Sequence, residues 1–234
     1  MCAKVFRKCT YSFFCFAKII YCFFANCSEL PEEDIARVAY LRWMRYFCIM
    51  EFDVKHYHGR PDGDGEARSE AELAVYDFLD DLGIDYETLC HPAAFTMEEC
   101  EAVRSRAGAP VFKNLFLTNR QQTQFYLLMI PADKPFKTKY LSSQLGCARL
   151  SFADERHMAE YLHIHPGAVS PMGLIHDKER KVRLIIDRDL SDCVRYACHP
   201  CVNTASIVLS LSDLLTKIIP ATNHDFTWVT LKPE

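Results

Sequence analysis

The sequence predicts an α+β domain in which short helices surround a mostly antiparallel, strongly curved sheet. Apolar runs of strand length recur along the chain, bounded by turn-forming residues. Two of these runs, residues 111–117 and 124–130, are separated by the polar segment 118–123, which is the pattern of a β-hairpin. Short helices are interspersed among such strands, and this mixture is typical of an α+β domain.

The first predicted helix begins at a capping box. Ser69 and Glu72 have the spacing at which each side chain caps the other's backbone N–H, and Gly83 supplies a stop. The apolar residues between them favour a helix, and residues 84–89 then form a strand.

A second capping box, formed by Thr96 and Glu99, begins a helix that extends to about Ala107. The hairpin of 111–117 and 124–130 follows it. The remaining predicted elements are helices at 141–145, 152–162 and 211–219, and strands at 172–176, 181–186, 206–209 and 227–231.

The composition is that of a globular protein with a sizeable core. The chain has 234 residues, of which 27 are Lys or Arg and 31 are Asp or Glu, so its net charge is −4. From Met50 onward it holds 20 basic and 27 acidic residues. A generic nucleic-acid binder carries a broad basic surface, and this body does not, so any RNA contact should be local.

Cysteine usage favours a reducing compartment. Six of the 12 cysteines precede Met50 and six are spread over the rest of the chain. A disulfide scaffold needs dense, paired cysteines in a small secreted domain, and the main body lacks that density. A cytoplasmic location is therefore expected.

The N-terminal segment, residues 1–49, is an atypical extension. Residues 11–27 are aromatic and apolar, but they are short for a membrane span and Lys18 interrupts them. Three interpretations stay open: a signal peptide, a reading frame opened upstream of a true start at Met50, and a short helix at 31–48. Residues 50–68 are rich in Gly, Pro and Asp near 56–66 and are predicted to be a flexible link, which leaves 69–234 as the functional domain.

Three short motifs carry candidate chemistry. Lys113-Asn114 lies inside an apolar run, where a lysine must reach the solvent edge, pair with an acid or point into a polar cavity. The segment 166–173 (PGAVSPMG) has two glycines and two prolines in eight residues, which favours a rigid loop with unusual backbone angles. His199 opens the third motif, His-Pro-Cys-Val-Asn-Thr, and a lone histidine before proline is more often a structural hydrogen-bonding group than a catalyst.

In this order and spacing, the three motifs resemble the YbaK and prolyl-tRNA synthetase-associated domain family, most closely its free-standing PrdX or ProX-like branch. The resemblance covers the chain from about Ser69 to the C-terminus. It implies an α+β fold of the kind described above and hydrolysis of mischarged aminoacyl-tRNA, most simply Ala-tRNA(Pro), without metal or cofactor. Prolyl-tRNA synthetase is an expected partner.

The resemblance also implies roles for individual residues. Lys113, Gly167 and His199 match the family's catalytic positions, and His199 is expected to shape and orient rather than to act as an obligatory base. The implied substrate-binding residues are Asn114, Ala168, Pro171, Met172, Asn203 and Thr204. The family commonly has Phe where this chain has Met172, so an altered pocket shape is expected.

Lys134, Lys137 and Lys139 form the densest basic cluster of the main body and are predicted to contact tRNA phosphates. Three alternatives remain: a deacylase of another specificity such as Cys-tRNA, a non-catalytic module that binds tRNA or a synthetase, and a metal-binding redox protein built on Cys198 and Cys201. The chain has no nucleophile elbow, P-loop, Rossmann fingerprint or His-Glu-x-x-His motif, so the commoner hydrolase and nucleotide-binding classes lack support.

Overall fold

The computed structural model describes residues 53–62, 65–94 and 97–231, of which 97–100 are described as backbone only. The predictions for residues 1–49 and for Thr96 lie outside the described residues. In the described part, no helix combines the length and the apolar composition needed to cross a membrane.

The predicted α+β class is confirmed, and the strands form two sheets. The strands are β1 Lys55–His58, β2 Tyr86–Cys90, β3 Phe112–Asn119, β4 Phe125–Pro131, β5 Leu150–Phe152, β6 Val182–Asp187, β7 Arg195–Cys198, β8 Ala205–Ser210 and β9 Phe226–Val229. The four-stranded sheet has the order β1-β2-β8-β7 and is antiparallel throughout. The five-stranded sheet has the order β5-β3-β4-β6-β9, in which β6 pairs parallel with both β4 and β9.

Besides short 3-10 helices, the described residues form five longer helical segments, which pack around these sheets. They are α1 Glu70–Asp81, α2 Met97–Ala107, α3 Thr138–Leu145, α4 Glu155–Leu162 and α5, a composite of α- and π-helical turns at 211–221. The serine half of the first capping box forms as predicted, because Ser69 Oγ accepts a hydrogen bond from the backbone N–H of Glu72 at 3.1 Å, while the Glu72 carboxylate accepts from Arg68 and Tyr76. Gly146 ends α3 in the left-handed conformation at φ +61°.

The hairpin of β3 and β4 is the central element of the larger sheet. Its seven paired positions run from Phe112 opposite Pro131 to Thr118 opposite Phe125. Alternate residues of β4 enter two different cores, with Leu127 in the large core between the sheets and Leu128 in a second core under α3. Both faces of this strand are therefore buried, which explains its continuous apolar sequence.

The two sheets meet at the start of β3. Val111 forms an isolated parallel bridge with Ala197 of β7, and the backbone N–H of Ala197 donates to the Pro110 carbonyl at 2.9 Å. The rings of Phe112 and Tyr196 stack next to this bridge at 4.9 Å. The bridge positions the candidate site, because Lys113 follows Val111 by two residues and His199 follows Ala197 by two residues.

Two expectations need correction, and two strands were missed. The segment predicted as a strand at 172–176 forms the 3-10 helix Pro171–Ile175, because Ser170 caps it and Pro171 occupies its first position. The predicted flexible link contains β1, all four residues of which pair with β2. Strands β5 and β7 were not predicted.

Candidate active site

The candidate site lies at one end of the four-stranded sheet, where the tripeptide Cys-His-Pro occurs twice. It follows β2 at His91 and β7 at His199. Both strands pair antiparallel with β8, one on each side, so both histidines leave the sheet at the end where β8 begins, at Ala205. The sheet topology therefore brings together two histidines that are far apart in the sequence.

His199 is held as a neutral imidazole with a defined tautomer. Its Nδ1 lies 2.7 Å from the Ala205 carbonyl oxygen, which only accepts hydrogen bonds, so Nδ1 carries the proton and donates. Burial lowers the pKa of His199, and the hydrogen bond to Ala205 offsets only part of that effect. The lone pair therefore resides on Nε2, for which the described residues supply no hydrogen-bond partner.

His91 is a site residue that the sequence analysis missed. Its Nδ1 donates to the Pro92 carbonyl at 2.8 Å, so its Nε2 accepts from the Ser206 hydroxyl at 3.0 Å. The His91 and His199 rings are 6.4 Å apart. Burial lowers the pKa of His91, and the hydrogen bond to Pro92 offsets only part of that effect. The repeated Cys-His-Pro tripeptide was the available sequence signal.

The Pro-Gly-Ala-Val-Ser-Pro loop packs against the same end of the sheet. Gly167 adopts φ +91°, which L residues rarely adopt, and a Cβ atom added there would lie 3.6 Å from Asn203 Nδ2. Ser170 is fully buried, caps the following 3-10 helix and lies near Cys198, whose thiol pKa its hydroxyl lowers in part. Ala168 and Met172 also share the large core with Cys198, so the loop packs near the last residue of β7, directly before His199.

Lys113 approaches this region from the other sheet. In the parallel bridge between Val111 and Ala197, Lys113 and His199 each lie two residues beyond the bridge in the same chain direction. Lys113 is half-buried, and its Nζ donates to the backbone carbonyl of Lys134 at 3.2 Å. Strand β5 pairs with β3 only from Leu117 onward, so β5 does not flank Lys113.

Asn114 follows Lys113 on β3 and points to the opposite face of the strand. Its Nδ2 donates to the Phe112 carbonyl at the long distance of 3.4 Å. Its Oδ1 is buried, and none of the described residues gives it a partner. A buried acceptor without a partner is costly, so Asn114 Oδ1 is suited to accept a hydrogen bond from a bound ligand.

The other predicted substrate-binding residues differ in how deeply they are buried. Ala168, Pro171 and Met172 are buried, and Met172 is completely inaccessible within the large core. Asn203 is half-buried beside Gly167, whereas Thr204 is exposed and its carbonyl accepts from the His91 N–H at 2.9 Å. Of these residues, Asn203 and Thr204 are the ones that border the surface of the site.

The three predicted tRNA-binding lysines separate in the structure. Lys134 is only 6% exposed, and its ammonium group contacts Asp187 at 2.6 Å and Asp189 at 2.7 Å. The prediction of a phosphate contact therefore does not suit Lys134. Lys137 and Lys139 line an open groove with Thr138, Arg149 and the aromatic residues Phe136 and Phe152. The Phe152 ring is unusually accessible for its size, since the residue is 63% exposed.

Cys201 in the third motif and Cys198 directly before it are free buried thiols. Burial raises the pKa of Cys198 to about 12, and it also raises the pKa of Cys201. Thiols of this kind are poor nucleophiles and poor metal ligands at neutral pH, because both tasks need the thiolate. Their positions favour packing around His199 over redox chemistry.

Comparison with known proteins shows which family this chain belongs to. A family model for the aminoacyl-tRNA editing domain matches residues 91–217, which begins at His91 and includes all three motifs. The chain belongs to the aminoacyl-tRNA editing domain family. The predicted recognition and the predicted enzyme class, an aminoacyl-tRNA deacylase, are thereby confirmed.

Relatives of this editing domain support the same placement. The prolyl-tRNA editing protein ProX of Acetoanaerobium sticklandii is 35% identical over 162 residues, which cover 69% of this chain and 98% of that protein. The prolyl-tRNA synthetase associated domain-containing protein 1 of Danio rerio is 35% identical over 164 residues, covering 69% of this chain and 88% of that protein. The crystal structure of a candidate trans-editing enzyme for prolyl tRNA synthetase superimposes with a TM-score of 0.54 at 16% identity, over 71% of this chain and 100% of that one. This structural likeness concerns the fold alone.

Proposed function

We propose that this protein hydrolyses the ester bond between alanine and tRNA(Pro), as a free-standing editing enzyme of the cytosol. One observation carries the proposal: the glycine loop packs beside Asn203 and the end of β7, where the neutral His199 presents Nε2. The prolyl-tRNA editing protein among its relatives supports tRNA(Pro) as the substrate RNA. Prolyl-tRNA synthetase is the proposed partner that supplies the mischarged tRNA.

The reaction needs water, a place for negative charge and a fixed substrate. The oxygen of water bonds to the ester carbonyl carbon, the bond from that carbon to the ribose oxygen breaks, and the ribose oxygen takes up a proton. The Lys113 ammonium group is placed to stabilise negative charge on the carbonyl oxygen or on the terminal phosphate. His199 Nε2 accepts a hydrogen bond and so orients the substrate or the attacking water.

Selectivity for alanine follows from the packing beneath the loop. Ala168 and Met172 are part of a close-packed core, so the loop has little room to yield to a bulkier amino acid. A synthetase site that fits proline admits alanine, and a second, smaller site removes what enters it. One methylene changes binding by about 1–3 kcal/mol, so other small amino acids such as serine should be rejected less completely than proline.

The groove at Lys137 and Lys139 is the proposed contact for the acceptor end of the tRNA. It adds Arg149 to the two lysines, whereas the body of the protein has an excess of acidic residues. Cations bind phosphates, and an exposed ring such as that of Phe152 provides a surface on which a base can stack. Lys134 is not included, because its ammonium group is occupied by Asp187 and Asp189.

The decisive test is release of radiolabelled amino acid from Ala-tRNA(Pro), Cys-tRNA and Pro-tRNA(Pro). We expect rapid release of alanine alone from the wild type and almost none from Lys113→Ala. Lys217→Ala is the matched control, because Lys217 is a half-exposed helical lysine paired only with Asp213 at the surface. Release of cysteine alone would show a different specificity, and no release by the folded protein would favour a non-catalytic binding module.

The groove has a separate test. Replacing Lys137 and Lys139 by Gln should raise KM for Ala-tRNA(Pro) and make log KM less dependent on log salt, because fewer counterions are released on binding. The kcat value should not change, since the substitutions leave the catalytic residues in place. An unchanged KM at low and moderate salt would refute the assignment of the groove.

A further inference from the structure

An ion triad, two of whose three members are buried, lies near the candidate catalytic lysine. Lys134 Nζ contacts Asp187 Oδ2 at 2.6 Å and Asp189 Oδ2 at 2.7 Å. Lys134 and Asp187 are almost inaccessible, at 6% and 0% side-chain exposure, whereas the Asp189 side chain is 57% exposed. Asp187 also caps the turn that follows β6, because its Oδ1 accepts from the backbone N–H of Asp189 at 3.2 Å.

The triad is connected to Lys113 through one residue. Lys134 ends a turn in which its N–H donates to the Pro131 carbonyl at 3.1 Å, directly after β4. Its side chain reaches the end of β6, and its own carbonyl oxygen accepts from Lys113 Nζ at 3.2 Å. The position of that carbonyl therefore depends on the anchoring of the Lys134 side chain.

A gain in folding stability is a poor explanation for the ion triad. Removing two charges from water costs about as much as their attraction returns, so apolar or neutral replacements of a buried pair are often equally stable. Burial lowers the pKa of Lys134, but hydrogen bonds to the two carboxylates more than offset this, so the pKa is raised and the lysine stays charged. What the triad supplies is a single conformation of the turn at 131–134.

We propose that Lys134 and Asp187 are positioning residues for deacylation, which hold the carbonyl that orients the Lys113 ammonium group. This inference rests on the proposed function, because it assigns Lys113 a catalytic task. Without the triad, the turn after β4 loses its anchor and Lys113 loses its fixed acceptor. Misplacing a catalytic group by about 1 Å can reduce the rate by roughly 100-fold.

The test uses the double variant Lys134→Met/Asp187→Asn in the full-length protein. It leaves no unpaired buried charge, and the cap of the turn after β6 is preserved because an asparagine side chain retains the Oδ1 acceptor. We expect a urea midpoint close to that of the wild type, a kcat for Ala-tRNA(Pro) lower by about 10- to 100-fold and an unchanged KM. Asp189 is exposed, so Asp189→Asn should not affect folding. It should also lower kcat, but by less than the double variant does.

A double-mutant cycle with Lys113→Ala separates positioning from a general structural effect. If Lys134 and Asp187 act through Lys113, their substitution should cause almost no further loss of kcat once Lys113 is replaced by alanine. The matched control is Lys217→Met/Asp213→Asn, which makes the same chemical changes in an i,i+4 pair whose side chains are 50% and 21% exposed, and it should leave kcat unchanged.

Two results would overturn the inference while the proposed function stands. One is a folded Lys134→Met/Asp187→Asn variant with wild-type kcat, beside a Lys113→Ala variant that has lost activity. The other is a kcat loss of equal size in the presence and in the absence of Lys113. If wild-type protein releases no amino acid, or Lys113→Ala is fully active, the proposed function or its catalytic lysine is refuted, and the positioning role fails with it.

Discussion

Substitution of Gly167 by alanine tests whether the glycine loop shapes the site through its backbone. An added Cβ would lie 3.6 Å from Asn203 Nδ2, an ordinary van der Waals distance, so no steric overlap is expected. The cost comes from φ, because +91° lies about 20° beyond the left-handed region that L residues tolerate. Strain of this kind costs about 1–3 kcal/mol.

The expected effect on stability is measurable by thermal unfolding. A loss of about 2 kcal/mol should lower the melting temperature by about 4–8 °C in a domain of this size. Gly83→Ala is the matched control, because Gly83 has φ +60°, inside the left-handed region, and nothing lies within 4 Å of an added Cβ. Its cost should be only about 1 kcal/mol.

The effect on activity should separate the two glycines further. Relief of the strain at residue 167 requires a change of its φ, which displaces the loop backbone that we propose to bind the substrate. We expect kcat/KM for Ala-tRNA(Pro) to fall by about 100-fold in Gly167→Ala and to be unchanged in Gly83→Ala. Equal melting temperatures and equal activities of the two variants would refute the reasoning.

Three further predictions concern titratable groups. Burial lowers the pKa of His176 to about 4, so between about pH 6.5 and pH 4 the unfolded chain binds more protons than the folded chain. The urea midpoint of the wild type should therefore fall as the pH is lowered from about 6.5 to 4. In His176→Phe it should fall less. Because burial also lowers the pKa of His199, kcat/KM should stay level down to about pH 6.5 and decline only below it. An acidic limb centred well above that value would contradict a neutral His199. Iodoacetamide at about pH 8 should modify the partly exposed Cys147 in the folded protein but Cys198 only in urea, because burial raises the pKa of Cys198 to about 12. Modification of Cys198 in the folded protein, detected by mass spectrometry, would contradict its burial.

Elements with strong local signals were predictable from the sequence. The N-cap at Ser69 and the hairpin of β3 and β4 depend on residues close together in the chain, and both form as expected. The run at 171–175 was ambiguous because it is short and apolar, and its cap at Ser170 decides in favour of a 3-10 helix. Strands β5 and β7 are short and exist through pairing with β3 and β8, so their own sequences carry little signal.

The sequence by itself determined the three motifs, their order and hence the family. It also determined that the catalytic candidates are Lys113, Gly167 and His199, whose individual roles remain predictions. It did not reveal His91, because its relation to His199 depends on two strands that flank β8.

Only the tertiary structure decided which lysines are buried and which line the groove. Lys134 and Lys137 are both cations in one polar segment, and their local sequences do not distinguish them. Folding brings Asp187 to Lys134 from 53 residues away and leaves Lys137 at an open groove. A lysine becomes a buried ion partner or a surface cation according to which distant carboxylate reaches it, and that is a property of chain topology rather than of local sequence.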